Sequence, residues 1–167
     1  MDAAIVRNLQ SVRSRVDAAA RRADRDPTNI RLIAVSKTFS ADAVRAASSA
    51  GQVDFGENKV QEGLQKIGDT ADIKIRWHLI GHLQSNKAKK AATAFHYIHS
   101  IDSIELLRKI DGAAAEAGAA PEILVQVDLA GEATKFGAAT DAARRIVDAT
   151  QALRAAKASL QAYGCTW

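Results

Sequence analysis

Lys37 closes an apolar run, residues 32–35, and is followed at once by Thr38, Phe39 and Ser40, a residue type that caps helices. An amine at the end of a buried strand is placed to do carbonyl chemistry. Alternation along the strand puts Ile33, Val35 and Lys37 on one face, with Ala34 and Ser36 on the other. An apolar floor under the amine favours its neutral form and lowers its pKa. From a usual value near 10.4, only about one lysine in a few thousand is neutral at pH 7, and each unit of depression gives roughly tenfold more nucleophile. Such a lysine suits Schiff-base formation with an aldehyde. The competing reading is a lysine that snorkels from the strand end into water.

Other polar residues cluster where further strands should end. Asp54, Glu57, Asn58 and Lys59 surround one such point, Gly81, His82, Gln84, Asn86 and Lys87 a second, and Asp128, Glu132 and Lys135 a third. Each cluster alone reads as a polar loop. Together they bring amides, an imidazole and amines to one rim, provided that the strands run parallel.

The elements that must position these groups are legible in the periodicity. Ile5, Leu9, Val12, Val16 and Ala19 form one stripe of a leading helix over residues 3–25, closed by Asp26-Pro27. Strands are expected at 31–36, 53–55, 75–80, 96–101 and 122–129. Between them lie helices starting at Ser40, near Val60, near Ser85, at Ser103 and near Thr140. Val60, Leu64 and Ile67 share one face of the second of these, and Ala143, Ile146 or Val147, Thr150 and Leu153 are expected to face inward on the last. Most strands are continuous apolar runs, the pattern of parallel strands covered on both faces. The class is α/β, and two architectures remain: a doubly wound sheet, or an incomplete (β/α)8 TIM-type barrel with a leading helix and about five βα units. No Gly-rich dinucleotide turn or Walker-type loop follows any strand.

The 167 residues predict one domain with a substantial core; 47% are hydrophobic and 25% charged. The net charge of +4 is too mild to single out nucleic acid, and no aromatic interleaving accompanies Lys87, Lys89 and Lys90. One cysteine, Cys165, excludes an internal disulfide framework and a cysteine metal cluster. The amino-terminal residues lack a signal-peptide core and no stretch resembles a membrane span, so a soluble, cytoplasmic protein without nucleic-acid or membrane partners is expected. No metal site is expected. His78 and His82 on one strand lie about 13 Å apart, and His96 and His99 face opposite sides. Structural roles suit these histidines better.

The segments LIAVSKTFSADAV, DFGENKVQEGLQK, WHLIGHLQSNKAKKA, IHSIDSIELL and ILVQVDLAGEATKFG resemble, in order and spacing, the pyridoxal-phosphate homeostasis protein family, which has the barrel of the alanine-racemase N-terminal domain. The resemblance covers roughly residues 5–153. It implies that pyridoxal 5′-phosphate (PLP) is the cofactor and that Lys37 forms the Schiff base. Asn58 would lie beside the cofactor, with His82 and Lys135 at the same mouth. It also implies a carrier or buffer serving intracellular PLP homeostasis, with no assignable reaction, no catalytic residues and apo PLP-dependent enzymes as recipients. The alternative is a racemase-like PLP enzyme. A racemase of this class needs a second acid/base, a tyrosine from a separate β domain, whereas this chain has only Tyr97 and Tyr163.

The family barrel continues through three more strands, with a Gly-Met-Ser-type turn and an Arg-x-Gly-type strand end that hold the phosphate. Neither occurs here. The expected organisation is a PLP-binding partial barrel over 1–153 and a non-family tail over 154–167. This is the pattern of a truncated or frame-shifted member, with open sheet edges that invite self-association and impair cofactor binding.

Overall fold

The computed structural model describes residues 3–129 and 136–158. Six strands form one all-parallel sheet in strict sequence order: β1 (Ala34–Val35), β2 (Asp54–Glu57), β3 (Arg76–Leu79), β4 (Tyr97–Ile101), β5 (Glu122–Val125) and β6 (Lys157–Ala158). A doubly wound sheet reverses its order at a switch point; sequential order is that of a (β/α)8 barrel wall. The helices are α1 (Ala3–Arg22), α2 (Ala41–Ser49), α3 (Val60–Asp69), α4 (Ala88–Ala94), α5 (Ile104–Ala117) and α6 (Thr140–Ala149). No helix among the described residues is long and apolar enough to cross a membrane.

The local signals explain where the elements begin and stop. Ser40 accepts the Ala43 N–H and Ser103 the Leu106 N–H, each satisfying one orphan donor at a helix start. Gly118 ends α5 in the left-handed conformation (φ 63°), which glycine adopts without a Cβ penalty. Arg13 of α1 reaches across to cap the end of α2, donating to Ala50 O at 3.0 Å and Gly51 O at 2.8 Å.

One register row crosses the whole sheet: Val35, Gly56, His78, Tyr97, Glu122 and Lys157 are successive neighbours. Alternation divides the residues around that row into two faces. Phe55, Trp77, Leu79, Ile98 and Ile123 are buried with Leu107 and Ile110 of α5 and Ile146 of α6 in one core. Burying such side chains stabilises the fold by roughly 1.5–3 kcal/mol each. The opposite face departs from the apolar pattern of its sequence. It carries Asp54, His78 and Tyr97, which are buried, and Val35, which is 38% exposed.

Other expectations shift in detail. The stripe of α1 is only partly used: Ile5, Leu9 and Val16 are half-buried, Val12 and Ala19 are exposed, and Ala20 is buried instead. The helix packs mainly against α2 and the Pro27–Asn29 turn, so much of its surface faces away from the described core. In α6, Ile146 rather than Val147 faces the core. In α3 the buried line is Val60, Gly63 and Lys66; Leu64 and Ile67 are half-buried. Strand β5 stops at Val125, beyond which Val127 forms an isolated bridge to Ala138.

Residues 154–158, expected to follow the barrel as part of a tail, add a sixth strand. Asp111 on α5 docks them: its carboxylate accepts N–H groups from Arg154 (3.0 Å), Ala155 (2.8 Å) and Ala156 (3.0 Å). Burial alone would raise the Asp111 pKa, but these donors hold its carboxyl below the usual range. Asp111→Ala is expected to destabilise the protein by about 2–3 kcal/mol and to speed exchange at the Ala155 and Ala156 amides, read by urea unfolding and hydrogen exchange.

Candidate functional site

Because all six strands are parallel, their carboxyl ends meet at one rim. Lys37 follows β1 in a turn closed by the Phe39 N–H to Ser36 O, at 3.0 Å. Thr38 is left-handed there (φ 67°), a conformation that costs a β-branched residue of order 1–2 kcal/mol and concentrates at functional sites. Ser36 is buried on the helix side and bonds Glu57, so alternation puts Val35 and Ile33 on the other face. Ile33 and Ile80 close over Gly56, where a Cβ would come within 3.1 Å of each.

The amine is not dry. Lys37 is exposed, and Val35 beneath it is 38% exposed, because the described residues leave this face of the sheet open. The apolar floor exists, but it does not enclose the lysine.

Asn58 follows β2 and is half-buried. Its backbone lies directly against Gly81 after β3; a Cβ on Gly81 would meet Asn58 Cα at 2.8 Å. That close approach, possible only without a side chain, sets His82 on the same rim as Asn58. The His82 ring stacks on Phe136 (3.7 Å between centroids, 13° between planes), and its Nδ1 is 3.8 Å from Asp102 after β4. The rim therefore gathers Lys37, Asn58 and His82, with Asp102 and Phe136 as groups that motif spacing does not reveal. Lys135 lies outside the described residues, as does Tyr163. Bulk concavity is a poor guide to this site: a cavity of about 640 Å³ lies among Arg13, Arg31, Gln52, Asp54 and Arg76, at the amino-terminal end of the strands.

Below the rim, side chains from neighbouring strands form a polar chain. His78 Nε2 is 2.9 Å from Asp54 Oδ1, and His78 Nδ1 is 2.9 Å from His99 Nε2. With His78 donating to the carboxylate, its Nδ1 accepts from the His99 N–H, so the chain forms with both rings neutral and both His78 nitrogens partnered. Arg76 donates to both oxygens of Asp54, to Oδ1 at 2.8 Å and to Oδ2 at 2.6 Å, and Tyr97 stacks on His78 at 4.3 Å with Arg31 over its ring. Tyr97 is thus committed to this packing. Spacing within single strands cannot reveal the His78–His99 contact, because it forms between strands. Among the described residues no group of His, Cys, Asp or Glu is arranged to hold a metal ion.

Burial pushes His99 down to about 4, with His78 and Arg31 adding to the shift; His78 is lowered mainly by burial, against the pull of Asp54. Burial would raise Asp54, but its bonds from Arg76 and His78 keep it below the ordinary carboxylate range. For His99 the unfolded chain takes up its proton near pH 6.5 and the native chain only near 4. Between these values the unfolded state binds more protons. The contribution is therefore complete above about pH 6.5 and lost as pH falls toward 4, by an amount on the order of 2–3 kcal/mol. Urea midpoints measured from pH 7 to 4.5 should fall accordingly, and His99→Asn should flatten the slope.

The model of the family "Alanine racemase, N-terminal domain" matches residues 7–162. The pyridoxal phosphate homeostasis protein of Pseudomonas aeruginosa is 40% identical over 150 residues, which are 89% of this chain and 65% of that protein. The structure of PipY from Synechococcus elongatus with PLP bound superposes with a TM-score of 0.79 at 38% identity, covering 91% of this chain and 66% of that one. A protein of unknown function from Bifidobacterium adolescentis gives a TM-score of 0.82 at 32% identity, covering 93% and 69%. The chain thus spans about two thirds of the length of these relatives.

Proposed function

Because the chain belongs to the alanine racemase N-terminal domain family, we propose that it binds PLP at the rim of its sheet and serves PLP homeostasis as a carrier or buffer. One observation carries the reading. Lys37, the candidate for the covalent bond, stands accessible at the carboxyl end of β1, in the rim that also holds Asn58 and His82. When bound, the cofactor supplies an aldehyde carbon that condenses with the Lys37 amine, with loss of one water.

The residues present fit the aldehyde end of that group. The rim offers a primary amine, and Ile33 and Ile80 meet across Gly56 to form an apolar floor on the same face. Asn58 contributes an amide that both donates and accepts, and His82 an imidazole already held by Phe136 and facing Asp102. Lys135 completes the proposed set as a second amine. The charge of Lys37, held beside this floor, orients an anionic ligand before any bond forms.

Names of relatives support the reading: one is called a pyridoxal phosphate homeostasis protein and one was solved with PLP bound. The reading includes a cytoplasmic location, apo PLP-dependent enzymes as recipients and self-association through the edges of β1 and β6. Size-exclusion chromatography with and without PLP tests the last.

The decisive experiment is borohydride reduction of the protein after exposure to PLP, followed by peptide mapping. A phosphopyridoxyl label on Lys37, lost in Lys37→Ala with unchanged far-UV circular dichroism, is the expected result. A label spread evenly over surface lysines, with Lys37 no more reactive than Lys74, would sink the assignment.

A further inference from the structure

Glu57 has no exposed surface, yet among the described residues its carboxylate is paired with a single cation, Lys66. Its Oε1 accepts from Lys66 Nζ of α3 and from Ser36 Oγ, each at 2.6 Å, while Oε2 has no partner among the described residues. A buried ion pair with one oxygen unsatisfied is a poor source of stability, since desolvation offsets most of its attraction. What the pair holds is more informative. Lys66 Nζ makes a second bond, 2.6 Å to Ser36 O, and that same carbonyl accepts the Phe39 N–H at 3.0 Å. The Ser36 N–H in turn is bound to Gly56 O at 2.9 Å. Every polar group of Ser36 is therefore tied down, and the peptide that leads into Lys37 is pinned by two donors.

Packing does not do this. Lys37, Thr38, Phe39 and Ser40 are all exposed, and β1 is a two-residue strand bonded within the described sheet only to β2. Thr38 also works against the turn, because a β-branched residue resists the left-handed conformation that it adopts. The restraint comes from behind the sheet.

We propose that Lys66 and Glu57 are positioning residues for Lys37. Acting through Ser36, they lock the strained turn and so aim the Lys37 amine across the rim. The inference rests on the PLP-binding reading for the purpose of the aim, and the lock itself is measurable without any cofactor.

Two readouts on the full chain test it. In the wild type, the Phe39 amide should exchange at least about a hundredfold more slowly than in an unstructured peptide, although Phe39 is 61% exposed. Exchange at the unstructured rate overturns the proposal without any variant. In the Lys66→Met/Glu57→Gln double variant, which removes both buried charges together, Phe39 exchange should rise about tenfold while the α5 amides of Leu107 and Ile110 keep their protection. Borohydride-trapped label at Lys37, relative to label at Lys74, should fall about tenfold at limiting PLP. A folded double variant with wild-type Phe39 exchange, or with faster exchange and an unchanged label ratio, overturns the proposal. If the wild type itself takes no label at Lys37, the PLP-binding reading fails, and Phe39 exchange alone then decides whether the lock exists.

Discussion

Parallel pairing in sequence order is the constraint on which this molecule depends. Each of β1 to β5 is followed by a helix that returns the chain to the amino-terminal end of the sheet, so the carboxyl ends of the strands meet on one side. Lys37, Asn58, His82 and Asp102 are far apart in sequence and share a rim only for this reason. Any arrangement that reversed a strand would scatter them to opposite ends of the sheet.

The two faces of that sheet solve different problems. The helix-covered face is apolar and supplies the burial that makes the fold stable, interrupted by the Ser36–Glu57–Lys66 cluster. The other face is only partly covered by the described residues. Its buried part is polar and self-satisfied: Asp54, His78 and His99 form a chain in which each donor has an acceptor, flanked by Arg76 and Tyr97. Such a network suits a surface that meets water or a ligand, because an apolar face there would remain exposed. Val35, at 38% exposure, shows what happens where an apolar residue does face the opening. The same opening explains why the Lys37 amine, which its sequence neighbours would surround with hydrocarbon, is exposed.

Small residues decide how close these parts come. Gly81 lets the ends of β2 and β3 touch, and Gly63 makes room for the Phe95 ring against α3. Larger side chains at either position would force apart elements that carry the rim or the buried ion pair. The rim's geometry is thus set as much by missing side chains as by those that carry chemistry.

Composition, periodicity and five ordered motifs were enough to establish the α/β class, nearly every helix and five of the six strands. These properties are local: a cap such as Ser103, a stop such as Gly118, or alternation through residues 33–37 acts between near neighbours in the chain. The sixth strand was not legible, because it is two residues long and is held by Asp111, more than forty positions away. Nor were the His78–His99 contact, the Lys66–Glu57 pair behind the lysine, or the exposure of Lys37 itself. Each depends on which strands become neighbours, in which register, and on what covers the sheet; only the folded arrangement decides these, since the interactions responsible join residues that the sequence keeps apart.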